Sequence, residues 1–147
     1  MKTLICQLHK LIGKSYLPPK WDLGFLQSIY SYKSTSEVEA VFDGFKKNDI
    51  QISAIHLHID YMKGYRVFTL NENFSEIRKL ADKMQKEGSH VVAILNPIVK
   101  YESGCRLFDE GLKNRYFVKG PHGNIIKGPL KPGFSSFPDF TDSNVRD

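Results

Sequence analysis

The chain has 147 residues, 41% apolar and 25% charged, which is enough for one domain with a hydrophobic core and ordinary for a globular protein. Its formal net charge of +5 is spread over short pairs such as Lys46-Lys47, which argues against the clustered basic stripe of a nucleic-acid binder. No apolar run approaches the roughly 18 residues of a membrane span, and the opening MKTLICQLHKLIGK lacks the hydrophobic region and cleavage site of a secretory leader. The two cysteines, Cys6 and Cys105, lie far apart without CxxC spacing, which predicts free thiols in a reducing, cytoplasmic compartment.

Residues 1–10 read as a short helix or a frayed end. Leu11 to Pro19 reads as a linker, because Gly13 and then Pro18-Pro19 force an extended path. Residues 1–17 are accordingly an extension ahead of the domain at 18–147. Trp21 to Tyr30 is the first predicted strand, with bulk from Leu23, Phe25 and Tyr30. Ser34 and Glu37 have capping-box spacing, and the helix behind them carries Val38, Val41, Phe42 and Phe45 on one stripe. It ends near Asn48.

Ile50 to Ile59 is the second predicted strand. Asn73 is a candidate cap for the next helix, whose buried face is Ile77, Leu80, Ala81 and Met84 and whose stop is Gly88. Val91 to Leu95 is apolar throughout, as suits a parallel strand covered on both sides. The order strand, helix, strand, helix, strand predicts an α/β unit with right-handed crossovers. From 98 to 136 the pattern breaks into a short helix around Asp109 to Lys113, a hairpin around Pro121 to Asn124 and a Gly/Pro-rich loop reaching Pro132-Gly133. Gly120 to Gly123 is a turn and not a phosphate loop, since no helix follows it. Lys127 to Lys131 is a small basic patch of the kind that usually faces solvent. Asp142 caps a helix just beginning.

The chemistry concentrates in His56 to Thr69, HLHIDYMKGYRVFT. Ile55, Leu57 and Ile59 alternate with His56, His58 and Asp60, so the strand's polar face carries three capable side chains at its end. Gly64 is the predicted turn residue of the exit loop. A His-x-His at a strand end, with Asp60 two residues on, is also a start toward a metal-dependent hydrolase using His56 and His58. His9, His90 and His122 have no ligand-like spacing to complete it, so no metal ligand is assigned and no cofactor is expected.

This stretch resembles the HLDIDYMDGYRVFT signature of glycoside hydrolase family 31, the α-glucosidase family. PPKWDLGF at Pro18 to Phe25, YSYKS at Tyr30 to Ser34, FDEGL at Phe108 to Leu112 and FPDFTDSNVR at Phe137 to Arg146 agree with it in order and spacing. The resemblance implies a partial (β/α)8 TIM barrel, its first three βα units followed by the insertion after strand three, where a closed barrel takes about 250 residues. It implies α-glucosidase-like hydrolysis of carbohydrate by a retaining pair of carboxylates. Both belong to a later WxDMNE region with no counterpart here, and Asp139 falls in a non-catalytic segment. The chain alone is therefore expected to be inactive, with no catalytic residue of its own. It would act on an α-glucoside when completed by a C-terminal barrel fragment, or serve as the non-catalytic part of a split barrel.

The resemblance further implies that Tyr30, His58, Ile59 and Ile94 line the sugar subsite. His58 stands where the family has an aspartate that accepts from sugar hydroxyls, and an imidazole cannot replace that double acceptor. Ile29 stands for a common arginine, Asn96 for an aspartate and Lys131 for a stacking tryptophan. These departures imply relaxed selection on the pocket or a new role for it, and not a tuned glucosidase.

Overall fold

The computed structural model describes residues 2–130 and 133–146. The reading of Lys131 lies outside the described residues. Helix α1 (Lys2–Ile12) comes first and buries none of its residues. Gly13, at φ +83, then turns the chain into the linker, which begins two residues later than Leu11.

Strand β1 is only Leu26–Ser28. The segment expected to open it forms a 3-10 turn over Lys20–Leu23, with the Asp22 N–H donating to the Pro19 carbonyl at 3.0 Å. The prolines thus start a turn, and the strand begins only beyond Gly24. Helix α2 (Thr35–Lys47) starts as its capping pair predicts. The Ser34 hydroxyl accepts from the Glu37 N–H at 3.2 Å, and the Glu37 carboxylate reaches back to the Lys33 N–H at 2.6 Å. Val38 and Phe42 are buried, with Val41 and Phe45 packed beside them.

Strand β2 (Ala54–Leu57) is the centre of a parallel sheet in the order β1-β2-β3, where β3 is His90–Ala93. Between β2 and β3 lies helix α3 (Ile77–Lys86). Its expected cap, Asn73, sits inside a 3-10 turn over Glu72–Phe74. Asn71 caps that turn, accepting from the Asn73 N–H at 3.1 Å, and α3 itself begins after Glu76 with no side-chain cap. The far end closes as expected at Gly88, φ +80. The Ser89 N–H donates to Met84 and the Gly88 N–H to Gln85, a Schellman pair.

Ile55 and Leu57 of β2 pack with Val38, Phe42, Phe74, Leu80 and Met84 into the main core. That core holds α2 and α3 on one face of the sheet, so by alternation Ala54, His56 and His58 belong to the other. Strand β3 is not covered on both sides: Val91 and Val92 are half-buried and Ala93 is exposed. Its apolar run belongs to an outer strand.

The segment beyond β3 contains a second sheet that the loop reading missed. Strands β4 (Val99–Lys100), β5 (Lys127–Leu130) and β6 (Gly133–Ser136) pair antiparallel in the order β4-β6-β5. The expected Gly/Pro loop is largely this hairpin. Pro129 needs no ladder donor on an edge strand, and Gly128 lets the Phe137 ring approach a prospective Cβ to 3.1 Å. Helix α4 (Arg106–Asn114) packs Phe108 against Phe117 and Cys105 in a separate cluster. The turn at Pro121 to Asn124 is present, with a bridge between Lys119 and Ile125. Asp142 caps the last helix, α5 (Ser143–Arg146), accepting from the Asn144 N–H at 2.9 Å.

Candidate functional site

Leaving β2, the backbone keeps His58 extended at φ −86 and ψ −175 and then coils into a 3-10 turn over Ile59–Tyr61. This early coil separates the polar residues that strict alternation would have aligned. His58 stays at the strand end against Tyr30, ring centroids 4.4 Å apart in an edge-to-face arrangement. Asp60 turns away into a different hollow and pairs with Lys33. The expected single face of His56, His58 and Asp60 is therefore not formed. Among the described residues, no group of three His, Cys, Asp or Glu side chains is placed to hold a metal ion.

Past the coil the chain makes a tight loop. Gly64 takes φ +56 as its turn role predicts, and Tyr65 and Phe68 also adopt left-handed backbone at φ 62 and 60. The loop is tied down by the Arg66 guanidinium, which donates to Glu102 at 2.8 Å. That bond, with a second from Lys100, holds the Glu102 carboxyl below its ordinary range. On the other flank the Tyr61 hydroxyl donates to the Ile94 carbonyl at 2.8 Å, and burial raises its pKa.

At the carboxyl end of the parallel sheet lies a cavity of about 380 Å³ lined by Tyr30, His58, Ile59, Asn96, Ile98 and Leu130 among others. Three of the four expected sugar contacts, Tyr30, His58 and Ile59, thus share one concavity. Ile94 does not line it; it packs with Ile59, Met62 and Val67 behind the wall. Asn96 does line it. It was visible in the sequence as a departure from the family pattern. Leu130 was not, because its approach depends on the β5–β6 hairpin. Among the described residues no acidic side chain lines the cavity. The Nδ1 of His58 and the Nε2 of His56 are buried without a hydrogen-bond partner among the described residues. Asp139 is occupied elsewhere: it accepts from the Thr141 hydroxyl at 2.6 Å and from its N–H at 3.1 Å, which lowers its pKa.

The profile of the glycosyl hydrolases family 31 TIM-barrel domain matches residues 15–147. The chain is 41% identical to alpha-glucosidase 2 of Bacillus thermoamyloliquefaciens over 146 residues, covering 99% of this chain and 19% of that enzyme. It is 32% identical to glucoamylase 1 of Candida albicans, again over 99% of this chain and 16% of the relative. Among solved structures, the family 31 alpha-glucosidase from Bacteroides thetaiotaomicron superposes with a TM-score of 0.85 at 32% identity, covering 97% of this chain and 24% of that one. The chain thus spans less than a quarter of the length of these proteins.

Proposed function

Because the chain belongs to glycosyl hydrolase family 31, we propose that it builds the sugar-binding side of an α-glucosidase-type retaining glycosidase. In this reading residues 18–147 are the first three βα units of an eight-fold barrel, β1 to β3, with the β4–β6 sheet inserted after the third, and residues 1–17 are an extension. The observation that carries it is the cavity at the carboxyl ends of the parallel strands, where barrel enzymes of this type place their sites. Tyr30 and Ile59 form its apolar wall, His58 and Asn96 supply hydrogen bonds, and Ile94 supports the wall from behind.

The chemistry itself needs two carboxylates about 5–5.5 Å apart, one attacking and one donating a proton to the leaving oxygen. Among the described residues the cavity presents neither, so the catalytic pair would come from later strands of the barrel. Purified 147-residue chain should release no nitrophenol from a nitrophenyl α-glucoside. Mixed with the remaining barrel segment of a family member, it should regain turnover. Turnover by the chain alone, surviving repurification and scaling with its concentration, would overturn the division of labour.

A further inference from the structure

The cavity wall has an unusual polarity for a site that grips neutral sugars. A neutral sugar hydroxyl donates as well as accepts, and a carboxylate is the side chain that takes such donors best. Among the described residues, the polar side chains at the wall are the Tyr30 phenol, the His58 imidazole and the Asn96 amide, each able to donate, with no carboxylate among them. The nearest acidic residue along the chain, Asp60, is engaged by Lys33 and lines a separate hollow. The His58 ring is held edge-to-face by Tyr30, and its Nδ1 is buried without a partner among the described residues. A buried nitrogen left unpaired is costly, and a bound acceptor relieves the cost in the tautomer that carries its hydrogen on Nδ1.

Resting on the sugar-subsite reading above, we propose that this cavity takes a pyranoside carrying an oxyanion group, with the group seated at His58 and Asn96. A carboxylate, sulfate or phosphate oxygen is an acceptor only, and each of the three polar side chains has a hydrogen to give it. A hydrogen bond to a charged acceptor is roughly twice as strong as one to a neutral acceptor. Tyr30 and Ile59 then face the apolar side of the sugar ring. A volume of about 380 Å³ has room for a single such sugar.

The test is ligand-observed saturation-transfer NMR, with ligand titrations, on the 147-residue chain. The probes are methyl α-glucoside, methyl α-glucuronide, glucose 6-phosphate and inorganic phosphate. Expected is binding of an anionic sugar at least about tenfold tighter than the neutral glucoside, the scale of one charged hydrogen bond. Whether the uronide or the phosphate ester binds tighter identifies the source of the oxyanion. His58→Phe keeps an aromatic ring against Tyr30 while removing both nitrogens, and should abolish the preference. His58→Asp should reverse it toward the neutral glucoside. Circular dichroism on both variants checks that the fold is retained, and Asn96→Leu is a second variant that should weaken anionic sugars alone.

Equal or tighter binding of the neutral glucoside overturns the proposal and leaves the sugar-subsite reading standing. Binding of no sugar at all overturns both. Anionic-sugar binding that inorganic phosphate matches in affinity, or that His58→Phe and Asn96→Leu leave unchanged, shows adsorption to the basic surface and also overturns the proposal.

Discussion

His58 and Asp60 are two residues apart and looked equivalent in sequence, yet the fold gives them opposite surroundings. The difference is one early 3-10 turn, which carries Asp60 toward Lys33 and leaves His58 against Tyr30. Alternation was a sound guide up to Leu57 and failed beyond it, because where a strand ends depends on tertiary contacts that periodicity does not record. The Arg66–Glu102 bond was equally hidden: it joins residues 36 positions apart and pins the loop that follows the candidate site to the segment after β4. It carries a pH signature. The folded carboxyl of Glu102 titrates below its ordinary 4.5, chiefly because Arg66 donates to it and secondly because Lys100 does. A depressed folded pKa contributes stability above the unfolded value and loses it as pH falls through the folded one. Acid should therefore release the loop only below about pH 4.5. An NMR titration of the Glu102 carboxyl carbon should show the low midpoint, and Arg66→Ala should raise it. A midpoint unmoved by that substitution would mean that the loop is held by other contacts.

At the scale of elements, the helices were the legible part. Ser34 with Glu37, the stripe from Val38 to Phe45 and the stop at Gly88 all act locally, and each was found where the sequence put it. The β4–β6 sheet was illegible for the opposite reason. Its strands are short, its pairs are non-local, and Gly128, Pro129 and Gly133 look like a loop until an edge position explains them. Two helical glycines show how packing, and not propensity, fixes the sign of a substitution. Gly44 in α2 has open space where a Cβ would stand, so Gly44→Ala should stabilise by about 0.5–1 kcal/mol through the backbone alone. Gly111 in α4 would drive its Cβ to 2.5 Å from the Phe117 ring, which is only 4% exposed. Gly111→Ala should therefore destabilise by about 1–2 kcal/mol, as overpacking outweighs the same propensity gain. Urea midpoints of the two variants against the parent decide, and shifts of the same sign in both would show that the Phe117 contact yields freely.

At the scale of the whole molecule, the sequence conveyed the α/β order and the family, and it conveyed less of the surface that order leaves uncovered. β1 and β3 each have one strand neighbour among the described residues, so each turns an unpaired backbone edge outward. β3 is continued by Ile94 and Leu95, giving an apolar run without charge or proline, the kind of edge that recruits another chain. Beyond it lies an open apolar hollow of about 470 Å³ that includes Phe68, Leu95 and Phe140, which are 74%, 50% and 51% exposed. Helix α1 adds the exposed side chains of Leu4, Leu8 and Leu11. Against these, the main core, nine buried residues among those described, holds α2 and α3 on one face of the β1-β2-β3 sheet. Such a balance predicts a chain that is marginally stable by itself and self-associates as its concentration rises, because association covers apolar surface that folding leaves bare. Adding the remaining barrel segment of a family member should raise the unfolding midpoint and suppress association together, since strands that continue the sheet would cover the same edges and hollow. Light scattering with thermal unfolding over a concentration series tests both halves. A monomer with a sharp, concentration-independent transition, unmoved by the added segment, would show that this sheet and its inserted partner form a self-sufficient fold, and the barrel-segment reading would fall with it.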